Sequence, residues 1–137
     1  MRTSQFNLTI ALLVYTTKTV ADISTVMEID PTEARTASIG YSGFNNESSC
    51  NLWILHKRYH KVTDIDTFIQ RFFDQVPNFT DKIQLINQYC KCVLRLSIVS
   101  IYGQLGFSLS QEDIMLLRQV DIPVEISFLS YGNCKDE

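Results

Sequence analysis

Near the N-terminus, apolar side chains occupy every second position: Phe6, Leu8, Ile10, Leu12 and Val14. A period of two places all five on one face of an extended strand, because successive strand residues point to opposite faces. The stretch also has a faint likeness to a signal peptide, but Asn7 and Thr9 interrupt the apolar block that such a peptide needs. We therefore expect a retained strand in a cytoplasmic protein.

Three later segments also have the composition of strands: NLWILH at residues 51–56, CVLRLSIV at 92–99 and VEISFLSY at 124–131. The last two alternate with a period of two, which is typical of strands with one buried face. The first is apolar on both faces, which is typical of a central strand. One more short strand is expected around residues 37–41, in a polar stretch that otherwise has the composition of a loop.

Helical patterns occur between these strands. Three of them combine an apolar stripe with a capping residue at the start, and the capping residues are Thr19, Thr63 and Ser110. Prolines end these helices, at Pro31, Pro77 and Pro123. A fourth, shorter helix is expected from residue 80 to about residue 89. Helices and strands therefore alternate along the chain.

Two of the helices resemble each other: ADISTVMEIDP and EDIMLLRQVDIP share an Asp-Ile pair near the start and a proline at the end. A duplicated strand–helix–strand unit explains this, and a chance likeness between two amphipathic helices is the alternative. Right-handed crossovers would place the helices on one face of a sheet. We predict an α+β ferredoxin-like sandwich of about four mostly antiparallel strands, with a two-helix insertion in the middle. Residues 1–137 are expected to form a single domain, with an ordered core over about residues 5–132.

The charges are unevenly distributed, although the net charge is only -3. Up to Glu47 the sequence has five acidic and three basic residues. After Gly106 it has six acidic and two basic residues. A general nucleic-acid binder needs a coherent basic face, and a membrane span needs roughly 18 consecutive apolar residues. The sequence therefore argues against both. Acidic flanks suit a cationic protein partner, and an ordinary solubilising surface is the alternative.

Potential metal ligands are present in the sequence, but they are spaced poorly. His56 and His60 would lie roughly 13 Å apart on an extended strand, too far to share one ion. The four cysteines contain no CxxC pair: Cys50, Cys90, Cys92 and Cys134. A reducing compartment would keep them as thiols. We expect no metal and no cofactor.

Catalytic motifs are also missing from the sequence. A Cys50–His56 pair is conceivable in space, but no local signature supports it, and no G-x-S-x-G motif occurs. Acidic pairs occur at residues 64/66 and 112/113, in first turns of predicted helices where the helix dipole favours them. The glycines of residues 103–107 permit a turn, since a phosphate loop would also carry lysine. We therefore predict that the protein is not an enzyme.

Several stretches together resemble a known family. These are IDPTEAR, LWIL, DTFIQRFFDQV and GFSLSQEDIMLLRQVDIPVEISFLSYG. From about residue 6 to residue 132, the chain resembles the bacterial domain-of-unknown-function family 4279. It departs from that pattern in PTEARTASIGYS, which lacks an Arg-x-Gly step after the proline. The resemblance implies no known activity, although some small bacterial proteins of this kind accompany toxins as immunity proteins.

Two main functional hypotheses follow. The first is a non-enzymatic cytoplasmic binding protein, an immunity protein that neutralises a bacterial toxin domain, as in contact-dependent inhibition. Its expected partner-binding residues are Glu33, Glu47, Glu112, Asp113, Lys57, Arg58 and Tyr59. The second is a small-ligand sensor or minor enzyme with a pocket near Trp53, His56 and Tyr102. A third is a module whose role is self-association.

Overall fold

The computed structural model describes residues 5–36, 50–100 and 108–130, which form a mixed sheet with helices on one face. The described strands are β1 (Phe6–Thr16), β2 (Glu33–Arg35), β3 (Asn51–Val62), β4 (Lys91–Ser100) and β5 (Val124–Ser130). The described helices are α1 (Val20–Met27), α2 (Phe68–Asp74), α3 (Phe79–Ile86) and α4 (Gln111–Val120). The predicted α+β class is confirmed. The short strand expected around residues 37–41 lies outside the described residues, and β2 precedes it.

Strand β1 lies in the middle of the sheet, whose order is β2-β3-β1-β4-β5. Both neighbours run antiparallel to it, so Leu12 lies opposite Leu55 of β3 and Leu94 of β4. The strand β2 pairs with β3 only opposite residues 52–54. The stretch NLWILH is therefore flanked on both sides over those residues, as expected for an interior strand.

The structure agrees only roughly with the predicted ferredoxin-like sandwich. A ferredoxin-like sheet is antiparallel throughout, whereas β4 and β5 are parallel neighbours here. Parallel neighbours need a crossover connection, which α4 provides. The first predicted copy of the duplicated unit behaves differently, because β3 lies directly beside β1 and antiparallel to it. The two copies are therefore not equivalent, and the described sheet has five strands rather than four.

The core lies between the sheet and the helices. The alternating residues of β1 that were predicted to share a face are buried against the helix layer: Phe6, Leu8, Ile10, Leu12 and Val14. Trp53 of β3 is fully buried in the same layer, and its indole Nε1 donates to Ser24 Oγ of α1 at 3.0 Å. A buried indole N–H needs such a partner. No helix among the described residues is long and apolar enough to cross a membrane.

Side-chain caps fix the start of two helices. Thr19 caps α1 as predicted, and it forms a capping box with Asp22. Ser110 caps α4 by accepting from the backbone N–H of Asp113 at 3.0 Å. The predicted start at Thr63 is too early, because α2 begins only at Phe68. Residues 63–67 instead form a turn in which the Asp64 carboxylate accepts from the backbone N–H of residue 66.

Candidate functional site

The basic run HKRYHK is the second half of strand β3. The strand continues to Val62, which lies opposite Phe6 of β1. The register between the two strands shifts between Phe6 and Leu8, and Lys61 has a φ of 55°. A residue with a left-handed backbone conformation at a register shift indicates a β-bulge. Such a bulge increases the local twist of a strand. The strand is therefore longer than expected, and the bulge allows it to continue past the basic residues.

Alternation along β3 puts the side chains of this region on two different faces. Trp53 lies opposite Val14 on the helix side of the sheet. His56 lies opposite Ala11, which is on the other face. The sheet separates the two side chains, so Trp53 and His56 do not line one pocket. Tyr102, the third residue of the predicted ligand pocket, lies outside the described residues.

The histidines and cysteines are dispersed. The ring Nδ1 of His60 lies 3.3 Å from the side-chain oxygen of Asn7. His56 and Cys50 are separated by a strand segment of roughly 20 Å, so they form no nucleophile–base pair. Burial, and to a lesser extent neighbouring Cys90, raises the pKa of Cys92 to about 12. In the described part of the chain, no three His, Cys, Asp or Glu side chains form a group that could hold a metal ion.

The acidic residues predicted to bind a partner do not form one surface. Glu33 lies in the edge strand β2 and pairs with Arg35 at 3.0 Å. Glu112 is exposed in the first turn of α4, which leads to β5 at the opposite edge of the sheet. Glu47 lies outside the described residues. Glu33 and Glu112 therefore belong to different sides of the molecule.

The basic and aromatic residues predicted to bind a partner are likewise divided. Lys57 and Arg58 are both exposed, but as consecutive strand residues they point to opposite faces. Tyr59 is half-buried, and its ring centroid lies 4.8 Å from that of Phe68 in α2. Tyr59 therefore packs the α2 region against the sheet.

Asp113 is buried, contrary to the expectation of an exposed carboxylate. Only 3% of its surface is exposed. Among the described residues, its Oδ2 has no hydrogen-bond partner other than the Asp66 carboxyl, with which it could share a proton. Burial first, and then the adjacent Asp66 carboxyl, raises the pKa of Asp113 to about 6. Two carboxyl groups this close favour a state with one shared proton. The pair thus joins the turn before α2 to the first turn of α4.

Helix α4 and strand β5 expose apolar side chains at one edge of the molecule. Leu116 of α4 faces α2 and α3, and Ile114 is turned from it by about 200° around the helix. Ile114 therefore points away from α2 and α3, and it is 51% exposed. On the helix face of β5, Ile126 and Phe128 are 44% and 53% exposed. We call these three residues, Ile114, Ile126 and Phe128, the apolar edge.

The two edges of the described sheet differ in their protection. At the β2 side, the edge strand has three residues, and the β3 segment beyond it carries Lys57, Arg58 and Lys61. Short strands and lysines are common means of preventing unwanted strand pairing. At the other side, β5 runs for seven residues without lysine, proline or register shift. Its charged residue, Glu125, is engaged by Arg95 at 2.9 Å.

A cavity of about 370 Å³ opens where α2, α3 and α4 meet. Phe79 and Leu116 contribute apolar walls, and Asp74 and Asp81 contribute carboxylates. The described lining contains no lysine, arginine or histidine. Sequence reasoning missed this cavity, because the turn that brings α3 against the end of α2 has no distinctive motif. It also missed the apolar edge, because alternation alone does not reveal that β5 is an edge strand of the described sheet.

Comparison with known proteins gives a family but no activity. No curated protein and no solved structure matches the chain. A family model described as a domain of unknown function, DUF4279, matches residues 4–132 of the 137 residues. The match covers all five described strands and all four described helices. The chain therefore belongs to the DUF4279 family, as its sequence patterns predicted.

Proposed function

We propose that this protein is a non-enzymatic binding protein that holds a protein partner at the apolar edge. The observation that carries the proposal is the exposure of Ile114, Ile126 and Phe128 in the consecutive elements α4 and β5. Apolar side chains that cluster on a surface favour association, because a partner that covers them removes them from water. Scattered apolar residues would carry no such argument.

The backbone of β5 supports the same surface. A terminal strand presents N–H and C=O groups along its outer side, and an added strand can pair with them. The β5 side chains Ile126 and Phe128 alternate with Ser127, so an added strand would find apolar contacts on the helix face. Backbone pairing would give affinity, and the apolar side chains would give specificity.

The charge near the apolar edge indicates the kind of partner. Glu112 and Asp121 are exposed in this region together with Arg118, while Glu125 is already paired with Arg95. A basic partner would be attracted to this surface, with an association rate that falls as salt is added. The partner that we propose is a basic bacterial toxin domain. The protein would act as its immunity protein in the cytoplasm.

Co-expression with the product of the neighbouring gene tests the proposal. We expect a stable complex that survives purification. Ile126→Glu should weaken it at least tenfold, because a carboxylate would replace an apolar contact in the interface. Leu85→Glu is the matched control, since Leu85 is similarly exposed on helix α3 and lies outside the apolar edge. This second variant should bind as the wild type does, as measured by calorimetry.

Three other outcomes would count against the proposal. If no complex with a neighbouring toxin forms, the immunity function is excluded. If the complex forms but Ile126→Glu binds normally, the partner uses another surface. If the purified chain is a dimer that Ile126→Glu converts to a monomer, the apolar edge serves self-association instead. Light scattering after gel filtration distinguishes this last case.

A further inference from the structure

We propose that the cavity between α2, α3 and α4 binds an organic cation: an ammonium or guanidinium group on an apolar stem. Such a site goes beyond partner binding at the apolar edge. The cavity volume of about 370 Å³ is in the range of small-ligand sites. Its walls combine apolar surface with carboxylates, which are the two features that a cation with an alkyl stem requires.

The carboxylate of Asp74 occupies an unfavourable position within the fold. Asp74 is the last residue of helix α2, where backbone carbonyls create a partial negative charge. An acid at this end of a helix is unfavourable for the helix dipole. The Asp74 carboxylate accepts a hydrogen bond from Gln70 at 2.8 Å, but the Gln70 amide brings no positive charge. A bound cation would neutralise both the carboxylate and the helix end.

The second carboxylate, Asp81, lies in the first turn of α3. The helix N-terminus carries a partial positive charge of about half a unit, which this carboxylate more than offsets. With Asp74, the cavity therefore has a clearly negative charge. Two basic residues close to these acids in the sequence interact with other groups. Arg71 stacks on Phe68 at 4.8 Å, and Lys82 pairs with Glu28 at 3.0 Å. No ion pair within the described ranges reaches Asp74 or Asp81.

Two aromatic rings that line the cavity stack on each other. The rings of Phe73 and Phe79 stack with centroids 4.2 Å apart and an interplanar angle of 8°. Both rings are almost fully buried and line the cavity together with Leu116 of α4. A preformed apolar wall lowers the entropic cost of holding an alkyl stem. The cation is thus expected to lie with its charged end toward Asp74.

Calorimetry with agmatine, which carries a guanidinium on an alkyl stem, tests this site in the full chain. We expect saturable binding that Asp74→Asn weakens by about tenfold or more, since the charge-assisted contact is lost. Asp121→Asn is the matched control, because Asp121 is an exposed acid with a φ of 58°, a conformation that asparagine tolerates. Asp121→Asn should bind agmatine as the wild type does.

Thermal unfolding without ligand separates binding from folding. Asp74→Asn should melt at or slightly above the wild-type temperature, because it removes an acid from a helix C-terminus.

A short arginine-containing peptide, titrated in parallel, distinguishes a free cation from a basic side chain of a protein. Binding of agmatine indicates the first source, and binding of the peptide alone indicates the second. Failure of both to bind at about 10 mM, or equal binding by Asp74→Asn, overturns the proposal without affecting the apolar edge.

Discussion

At the scale of single residues, Asp113 combines two roles that conflict. Its backbone N–H is capped by Ser110, and an acid in the first turn of α4 is favourable for the helix dipole. The same carboxyl is buried beside Asp66, where a second negative charge is unfavourable. Burial decides the balance, because it raises the pKa of Asp113 to about 6 despite the hydrogen bonds from Ser110 that lower it.

This pKa predicts how stability depends on pH. Between the unfolded value of 3.8 and the folded value of about 6, the folded protein keeps a proton that the unfolded chain has lost. The free energy of unfolding should therefore fall as pH rises from about 4 to 6, and this contribution should be constant above that. Asp113→Asn, which keeps a donor for Asp66, should lack this slope and be more stable at pH 7.5, by up to about 3 kcal/mol.

Urea unfolding at pH 4 and pH 7.5 measures the difference. Glu112→Gln is the control, since the neighbouring Glu112 is exposed and should change stability by less than about 0.5 kcal/mol at either pH. A loss of stability in Asp113→Asn at pH 7.5 would show that the charged carboxylate is needed for the fold, contrary to a shared proton.

At the scale of elements, the three-residue strand β2 depends on one side chain for its attachment. The hydroxyl of Thr32 donates to the Ile54 carbonyl at 3.1 Å and accepts from the backbone N–H of His56 at 2.8 Å. The Thr32 backbone N–H also donates to the Ile54 carbonyl at 2.8 Å. The Thr32 hydroxyl thus adds two bonds, beside the backbone bond, at a strand too short to hold its place by pairing alone.

Thr32→Val should loosen β2 without unfolding the protein, because valine keeps the shape but not the hydroxyl. We expect a loss of about 0.5–1.5 kcal/mol and faster amide hydrogen exchange in β2. Thr25→Val is the control: Thr25 is exposed in α1, and its hydroxyl bonds only to the Ala21 carbonyl. Unchanged exchange at Glu33–Arg35 in Thr32→Val would contradict this account.

Helix starts that depend on neighbouring residues could be predicted from the sequence. The strand order, which depends on pairing between distant residues, could not. Thr19 and Ser110 mark helix starts because capping involves only the next three residues. The order of the strands depends on contacts such as Leu12 with Leu94, which no local pattern specifies. Burial also depends on contacts between distant residues. The sequence therefore predicted the charges of the candidate interface residues but not whether they are buried. Asp113 shows this most clearly, since its place in the first turn of a helix was predicted and its burial was not.

At the scale of the whole molecule, β1 connects the two halves of the sheet. It pairs with β3 along one side and β4 along the other, and its buried residues contact the helix layer. Leu12→Ala should therefore lower the free energy of unfolding by about 2–5 kcal/mol, through lost burial and a cavity. Urea unfolding should still show one transition when followed by tryptophan fluorescence and by circular dichroism.

Leu85→Ala is the control for that substitution, because Leu85 is exposed and should change stability by less than about 0.5 kcal/mol. Two separate transitions in Leu12→Ala would indicate that the halves of the sheet unfold independently, which the position of β1 argues against.

The central position of β1 also has a consequence during synthesis on the ribosome. Its partner strand β4 lies far along the chain, since Leu12 pairs with Leu94. At roughly 5–20 residues per second, β1 waits several seconds or more for β4 to be made. During that interval its alternating apolar face, from Phe6 to Val14, has only β3 and the earlier helices to cover it. Chaperone dependence of nascent chains should therefore end only when β4 has left the exit tunnel.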